Sequence, residues 1–231
     1  MAFQRAGRAA PAHGVRSVQV AIAPVAQRNV PASWCALKRA IDVVLGIVLL
    51  VLSLPVIVVA AIGIVCTTGG SPLFAQERVG MHGRRFKMFK LRTMVNGAHA
   101  MRDDLMHLNE VDGPVFKIRN DPRTHPLGRF LRRTSIDELP NIINVVLGDM
   151  SLAGPRPALP SEVEHYDPFA LRRLTVPQGL TCLWQINGRS QVNFDEWMTL
   201  DNRYVDTWTP LGDLAIIAMT VPAVLRKDGA H

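Results

Sequence analysis

Cysteine is scarce and unpaired. Cys35, Cys66 and Cys182 stand far apart and are odd in number. Neither a disulfide framework nor a thiolate zinc site follows, and the usage fits a reducing, cytosol-facing body. The seven histidines are scattered without ligand spacing, which argues against a structural zinc ion. There is no GxGxxG, no P-loop, no helix-turn-helix pattern and no internal repeat. Without a base-reading module, the basic excess does not point to nucleic acid. Acidic residues are missing from residues 1–36, and no charged side chain lies between Val43 and Cys66.

What is present is basic and apolar. Of 231 residues, 48% are hydrophobic, and 26 Lys and Arg against 19 Asp and Glu leave a net charge of +7. Mean hydropathy is +0.14. Such a chain suits anionic partners: a phospholipid surface, a phosphorylated substrate or, less well in the absence of a base-reading module, nucleic acid. Residues 1–36, rich in Ala, Pro, Val and Arg, read as a flexible basic arm. The arm shares its acid-free, Arg-bearing composition with transit peptides, but lacks their serine enrichment and amphipathic helix.

The uncharged run "VVLGIVLLVLSLPVIVVAAIGIVC" (43–66) is long enough to cross a bilayer core. It is too long for a signal-peptide core, and no leader-like cleavage site follows it. Pro55 at its midpoint removes a helical hydrogen bond. Ser53 is placed to bond back to the Leu49 carbonyl and sharpen a bend. Lys38 and Arg39 precede the run, and Arg78, Arg84, Arg85, Lys87, Lys90 and Arg92 follow it. Positive flanks belong in the cytoplasm. A helix that enters, bends and returns satisfies both flanks; a kinked span satisfies one. From these residues both remain open.

Beyond the run, "TTGGSP" (67–72) is a turn cluster. "FKMFKLRTM" (86–94) alternates as a short strand or interfacial ribbon does. Residues 96–110 read as helical, 119–128 as loop, and 141–147 as a helix ending at Gly148. The Pro-rich 151–162 reads as irregular, and 176–190 as turn, short strand, turn. Residues 194–208 read as a helix with Trp197, Leu200, Tyr204 and Trp208 on one stripe. Trp184 and this stripe suit core or membrane-interface anchors. Leu211–Leu225 is too short to span, and suits a core or interfacial helix.

The densest chemistry is "RRTSIDELPN" (132–141). Ser135 and Glu138 match a capping box, with Asp137 a favourable charge in a first helical turn. Pro140 is awkward there and argues for a later helix start. The same residues make a phosphate-handling site. A helix start would keep Asp137 ionised as nucleophile or metal ligand, while Arg132, Arg133 and a hard divalent cation offset the charge of a diphosphate. In Pro155-Arg156-Pro157 two prolines restrict the backbone around one guanidinium, as phosphate binding favours. A solvated surface arginine is the plainer alternative, and also for Arg189 in "NGR". Lys90 and Arg92 also suit lipid headgroups.

Together, "KRAIDVVLGIVLLVLSLPVI", "FKMFKLRTM", "LRRTSIDELPNIINVVLGDMSLAGPRPALPSEVEHY" and "LTCLWQINGR" closely resemble the monotopic phosphoglycosyl transferases, or bacterial sugar transferases, over about Leu37 to Arg226. The resemblance is to the compact form that starts exopolysaccharide synthesis. It implies a mostly helical α+β fold: an arm at 1–36, a re-entrant membrane helix at 37–69 broken near Ser53 and Pro55, and a cytoplasmic catalytic domain at 70–231 with interfacial amphipathic helices. It implies transfer of a sugar-1-phosphate from a UDP-sugar, UDP-galactose or UDP-glucose, to undecaprenyl phosphate at the inner membrane, with UMP released. Asp137 is then the nucleophile that forms a covalent phosphosugar, and Glu138 its metal-site or acid/base partner, with Mg²⁺ held by the pair. Lys90, Arg132, Arg156, Arg189 and Asp201 match substrate-binding positions. Downstream glycosyltransferases are implied partners, and a catalytically silent scaffold is the competing class.

Two departures stand out. Leu54 separates Ser53 from Pro55 where the family often has Ser-Pro. Gln178-Gly179-Leu180-Thr181-Cys182 stands where a pattern like Pro-Gly-x-Thr-Gly is expected.

Overall fold

The computed structural model describes residues 30–110, 113–116, 118–187 and 193–225. The flexible arm read at 1–36 therefore lies almost wholly outside the described residues, as does Arg189.

Helix α1 runs from Ala32 to Thr68, 37 residues. It is the one helix among the described residues long and apolar enough, by length and composition, to cross a membrane. The helix begins at Ala32, ahead of the expected boundary at 37, and continues through Pro55. The Ser53 hydroxyl donates to the Leu50 carbonyl at 3.2 Å, one residue later than the Leu49 partner expected. Along α1, Val44, Val51, Leu52, Val59 and Ile62 are exposed.

Both ends of α1 are fastened to the rest of the protein. Near its start the Lys38 ammonium donates to the Ala153 carbonyl (2.9 Å) and pairs with Asp213 (2.5 Å). Arg39 donates to the carbonyls of Val145 and Val146, and Asp42 accepts from the Ser151 hydroxyl and the Leu152 amide. Near its end Ile64 packs with Leu91 and Leu131, alongside Ile57, Ala60 and Ala61.

Strands β1 (Leu73–Val79) and β2 (Arg85–Leu91) form an antiparallel hairpin with Leu73 opposite Leu91. Residues 96–110, expected to be helical, are turns and a single 3₁₀ stretch at Asp103–Leu108. Met101, Met106 and Leu108 stay exposed, so no buried apolar face holds a helix here. The loop expected at 119–128 stops at His125, because Pro126 occupies the first turn of helix α2 (Pro126–Arg133). The His125 imidazole caps it by accepting from the Gly128 amide at 2.9 Å.

Helix α3 spans Asn141–Leu147 and ends on Gly148 in the left-handed region, φ 92°, matching the bounds read from sequence. Inside the Pro-rich 151–162, expected to be irregular, are strand β3 (Ser151–Ala153) and the first residues of a short helix, α4 (Pro160–Val163). A one-turn helix α5 (Pro168–Leu171) follows. Strand β4 (Gly179–Thr181) lies parallel to β3. The second turn expected after it is a one-turn helix, α6 (Leu183–Ile186). Helix α7 (Phe194–Thr207) starts with an Asn193–Glu196 capping box, and α8 covers Pro210–Leu225. The architecture is thus mostly helical with two small sheets.

The aromatic stripe on α7 faces inward. Tyr204 and Trp208 are buried with Ala153 and Ile216, and Trp197 packs against Trp184 at 4.7 Å between ring centres.

Candidate active site

The segment between α2 and α3 folds against the capping reading. Ser135 adopts φ 57° and caps nothing with its side chain. A left-handed serine is uncommon, and it turns the chain so that Ile136–Glu138 forms one 3₁₀ turn. Glu138 does not reach back to Ser135; it points to β2 and to the β3–α4 loop. As Pro140 suggested, the regular helix starts later, at Asn141.

Glu138 is gripped from two sides. Lys90 Nζ donates to its Oε1 at 2.8 Å. Arg156 Nη1 donates to Oε2 at 3.1 Å, and Arg156 Nη2 to Oε1. Burial alone would push this carboxyl up, but Arg156 and Lys90 hold it well below the usual carboxylate range. Burial opposes the charge on Arg156, but Glu138 outweighs it and keeps the guanidinium firmly protonated. Lys90 titrates below the ordinary lysine range because burial outweighs the attraction of Glu138.

Asp137 is 7% exposed. Burial pushes its pKa up to about 6, against the attraction of Lys90 and with the repulsion of Glu138 added. Burial thus works against the ionised form, not for it as a helix start would, and at about 6 the group is still ionised at neutral pH. The carboxylate lies in a short 3₁₀ turn, and burial outweighs any helix-end effect.

Arg132, on α2, donates from Nε to the Thr93 hydroxyl at 3.0 Å and acts on Asp137 electrostatically. Arg78 was read from sequence only as a positive flank. At the end of β1 it donates to the Pro157 carbonyl at 3.0 Å, and burial together with the nearby Arg156 lowers its pKa to about 10. Only the strand register could have revealed it. Lys90 and Arg156 thus contact Glu138, Arg132 acts electrostatically on both carboxylates and Arg78 on Glu138, leaving a surplus of positive charge that a phosphate can neutralise.

Asp201 does not join this cluster. It is 1% exposed and pairs with the equally buried Arg173 at 2.8 Å, behind the Pro155-Arg156-Pro157 loop. Cys182 has extended backbone, φ −150°, so no glycine is required there. Its thiol contacts the Gln185 amide oxygen at 3.0 Å, and burial pushes it well up, so it stays neutral. The Gln178 amide donates to the Arg173 and Val176 carbonyls. Gly179 is indispensable: a Cβ there would sit 2.1 Å from the Gly154 amide nitrogen.

Among the described residues no group of three or more His, Cys, Asp or Glu stands ready to hold a metal ion. Magnesium usually binds through one or two carboxylates together with substrate phosphates. Lys90 and Arg156 occupy both oxygens of Glu138. Among the described residues there is no enclosed metal cage, and Asp137 would be the carboxylate available to a magnesium ion carried by a diphosphate.

The sequence profile of the bacterial sugar transferases matches residues 33–227. The chain belongs to that family. It is 39% identical over 199 residues to the undecaprenyl-phosphate galactose phosphotransferase of Salmonella typhimurium, covering 84% of this chain and 42% of that protein. It is 36% identical over 198 residues to the exopolysaccharide production protein ExoY of Rhizobium meliloti, covering 84% and 88%. It is 38% identical over 204 residues to the UDP-glucose:undecaprenyl-phosphate glucose-1-phosphate transferase of Caulobacter vibrioides, covering 84% and 72%. The matched part of this chain thus spans 42% of the length of the Salmonella relative.

Proposed function

We propose that the protein is a phosphoglycosyl transferase that moves a sugar-1-phosphate from a UDP-sugar to undecaprenyl phosphate and so starts a surface glycan. One observation carries this reading: a buried carboxylate, Asp137, lies beside a Glu138 gripped by Lys90 and Arg156, with Arg132 adding positive charge. Arg156, Lys90 and Arg78 bind and orient the diphosphate. An oxygen of Asp137 attacks the sugar-bearing phosphorus, the bond to UMP breaks, and an aspartyl-phosphosugar forms. Arg132 offsets charge on the side of Asp137. The lipid phosphate then attacks the same phosphorus and restores the Asp137 carboxylate. Magnesium bound with the diphosphate supplies further charge neutralisation.

The reading of the membrane arrangement rests on α1. Leu45 packs against the cluster of Phe86, Met88, Val145, Met150 and Leu152, and Ile64 against Leu91 and Leu131. Both arms of the helix thus hold one body, which supports a helix that enters the inner membrane and returns to the cytoplasmic face. UDP-galactose and UDP-glucose are the favoured donors, following the names of the relatives from Salmonella typhimurium and Caulobacter vibrioides.

The test is UMP release by purified protein in lipid, with undecaprenyl phosphate, Mg²⁺ and a panel of UDP-sugars. Release with one of the two favoured donors, abolished by Asp137→Asn, is the expected result. Wild-type release rates from folded Asp137→Asn would sink the nucleophile assignment, and silence across the panel would sink the donor class.

A further inference from the structure

Arg156 is a single side chain on a loop of two prolines, and something must hold that loop in register with Glu138. Its carbonyls are tied down one after another. Ala153 accepts from Lys38, Pro155 from the Gly179 amide (2.8 Å), and Pro157 from Arg78. The carbonyl of Arg156 itself accepts from Arg173 Nη2 at 2.6 Å. The same nitrogen pairs with Asp201 Oδ2 at 2.8 Å.

Arg173 is fully buried, and its other terminal nitrogen donates to the Tyr166 hydroxyl at 2.8 Å. Its guanidinium lies 5.3 Å from the Trp197 ring centre and 5.7 Å from that of Tyr166. A fully buried ion pair is a poor stability device, since desolvation offsets most of its attraction. A planar fork held on four sides, however, sets a backbone position with little freedom. The backbone it sets belongs to the residue whose side chain grips Glu138 from the opposite side.

We propose that Arg173, held by Asp201 and Tyr166, is a positioning residue that acts through Arg156 and so sets the phosphate-binding geometry of the site. The inference rests on the reading of Arg156 as a phosphate ligand. It gives Asp201 a role in positioning Arg156 and none in touching substrate. A lysine at 173 keeps the charge beside Asp201 but has no fork with which to hold the Arg156 carbonyl, Asp201 and Tyr166 together.

The experiment is a double-mutant cycle on pyrophosphate affinity, measured by calorimetry on full-length protein in lipid. Wild type, Arg173→Lys, Arg156→Lys and the double variant are compared. Arg173→Lys is expected to weaken binding about tenfold, and to have little further effect once Arg156 is replaced. Losses that multiply in the double variant, or wild-type affinity for Arg173→Lys, would overturn the proposal. If Arg173→Lys does not fold, Asp201→Asn and Tyr166→Phe enter the same cycle with the same expectations. Pyrophosphate binding needs no turnover, so an absence of UMP release from wild type would fail the transferase reading and leave this outcome separately readable.

Discussion

Arg156 holds Glu138 with both terminal nitrogens of its guanidinium, one to each carboxylate oxygen. This fork ties the β3–α4 loop to the 3₁₀ turn carrying Asp137. Lys90 adds a third donor from β2.

Arg156→Lys keeps a positive charge but loses the two-pronged geometry. The expected result is a fall in kcat/KM for UMP release of about a hundredfold, with Arg156→Ala no more than a few-fold worse. A lysine variant near wild-type activity would mean that Arg156 acts only as a point charge.

Asp137 has a folded pKa near 6, above its ordinary carboxylate value. Protonation is therefore easier in the folded state, and the ionised group costs stability above pH 6. Stability linked to this group is fully present at low pH and is lost as pH rises through about 6. Asp137→Asn should melt higher than wild type at pH 8, by an amount on the order of 2 kcal/mol, and the gap should close towards pH 4. The rate of UMP release should rise with pH through the same region, because the ionised form attacks. A melting difference independent of pH would contradict the buried-carboxylate picture.

Lys38 pairs with Asp213 in a dry junction between α1 and α8, under Tyr204 and Trp208. Removing one partner leaves an uncompensated charge. Lys38→Met is expected to cost about 3–5 kcal/mol, seen as a large fall in melting temperature. Lys38→Met with Asp213→Asn should recover part of that loss, because the unpaired charge is removed while an amide oxygen remains to accept from Tyr204 or Trp208. Additive losses in the double variant would argue against direct pairing.

Gly128 lies against the backbone of Thr93, and a Cβ there would sit 2.1 Å from the Thr93 carbonyl oxygen. Thr93 also receives Arg132. Gly128→Ala should therefore destabilise the fold by about 2 kcal/mol or more and lower activity in whatever protein remains folded. An unchanged melt would mean that α2 can move away from Thr93 without cost.

Topology is checked by placing Ser33→Cys and Ser71→Cys singly in a background free of Cys35, Cys66 and Cys182. A membrane-impermeant thiol reagent should reach both from the cytoplasmic face. Labelling from opposite faces would establish a spanning helix.

The sequence by itself determined the elements whose causes are local. An uncharged run makes α1, a glycine ends α3, and the amphipathic stripe makes α7. The order of its motifs also determined the family. It could not show that Ser135 is left-handed or that Glu138 turns from its own backbone to Lys90 and Arg156, which lie 48 and 18 residues away. The capping box and the ion-pair site share one spacing, and only packing decides between them. Nor could it show that Asp201 pairs with Arg173, or that Arg78 enters the site, because both depend on register between distant segments. Local spacing fixes which residues can cap or stripe a helix; the pKa of Asp137 and the partners of Glu138 depend on burial and on charges from distant segments, and those exist only once the chain has folded.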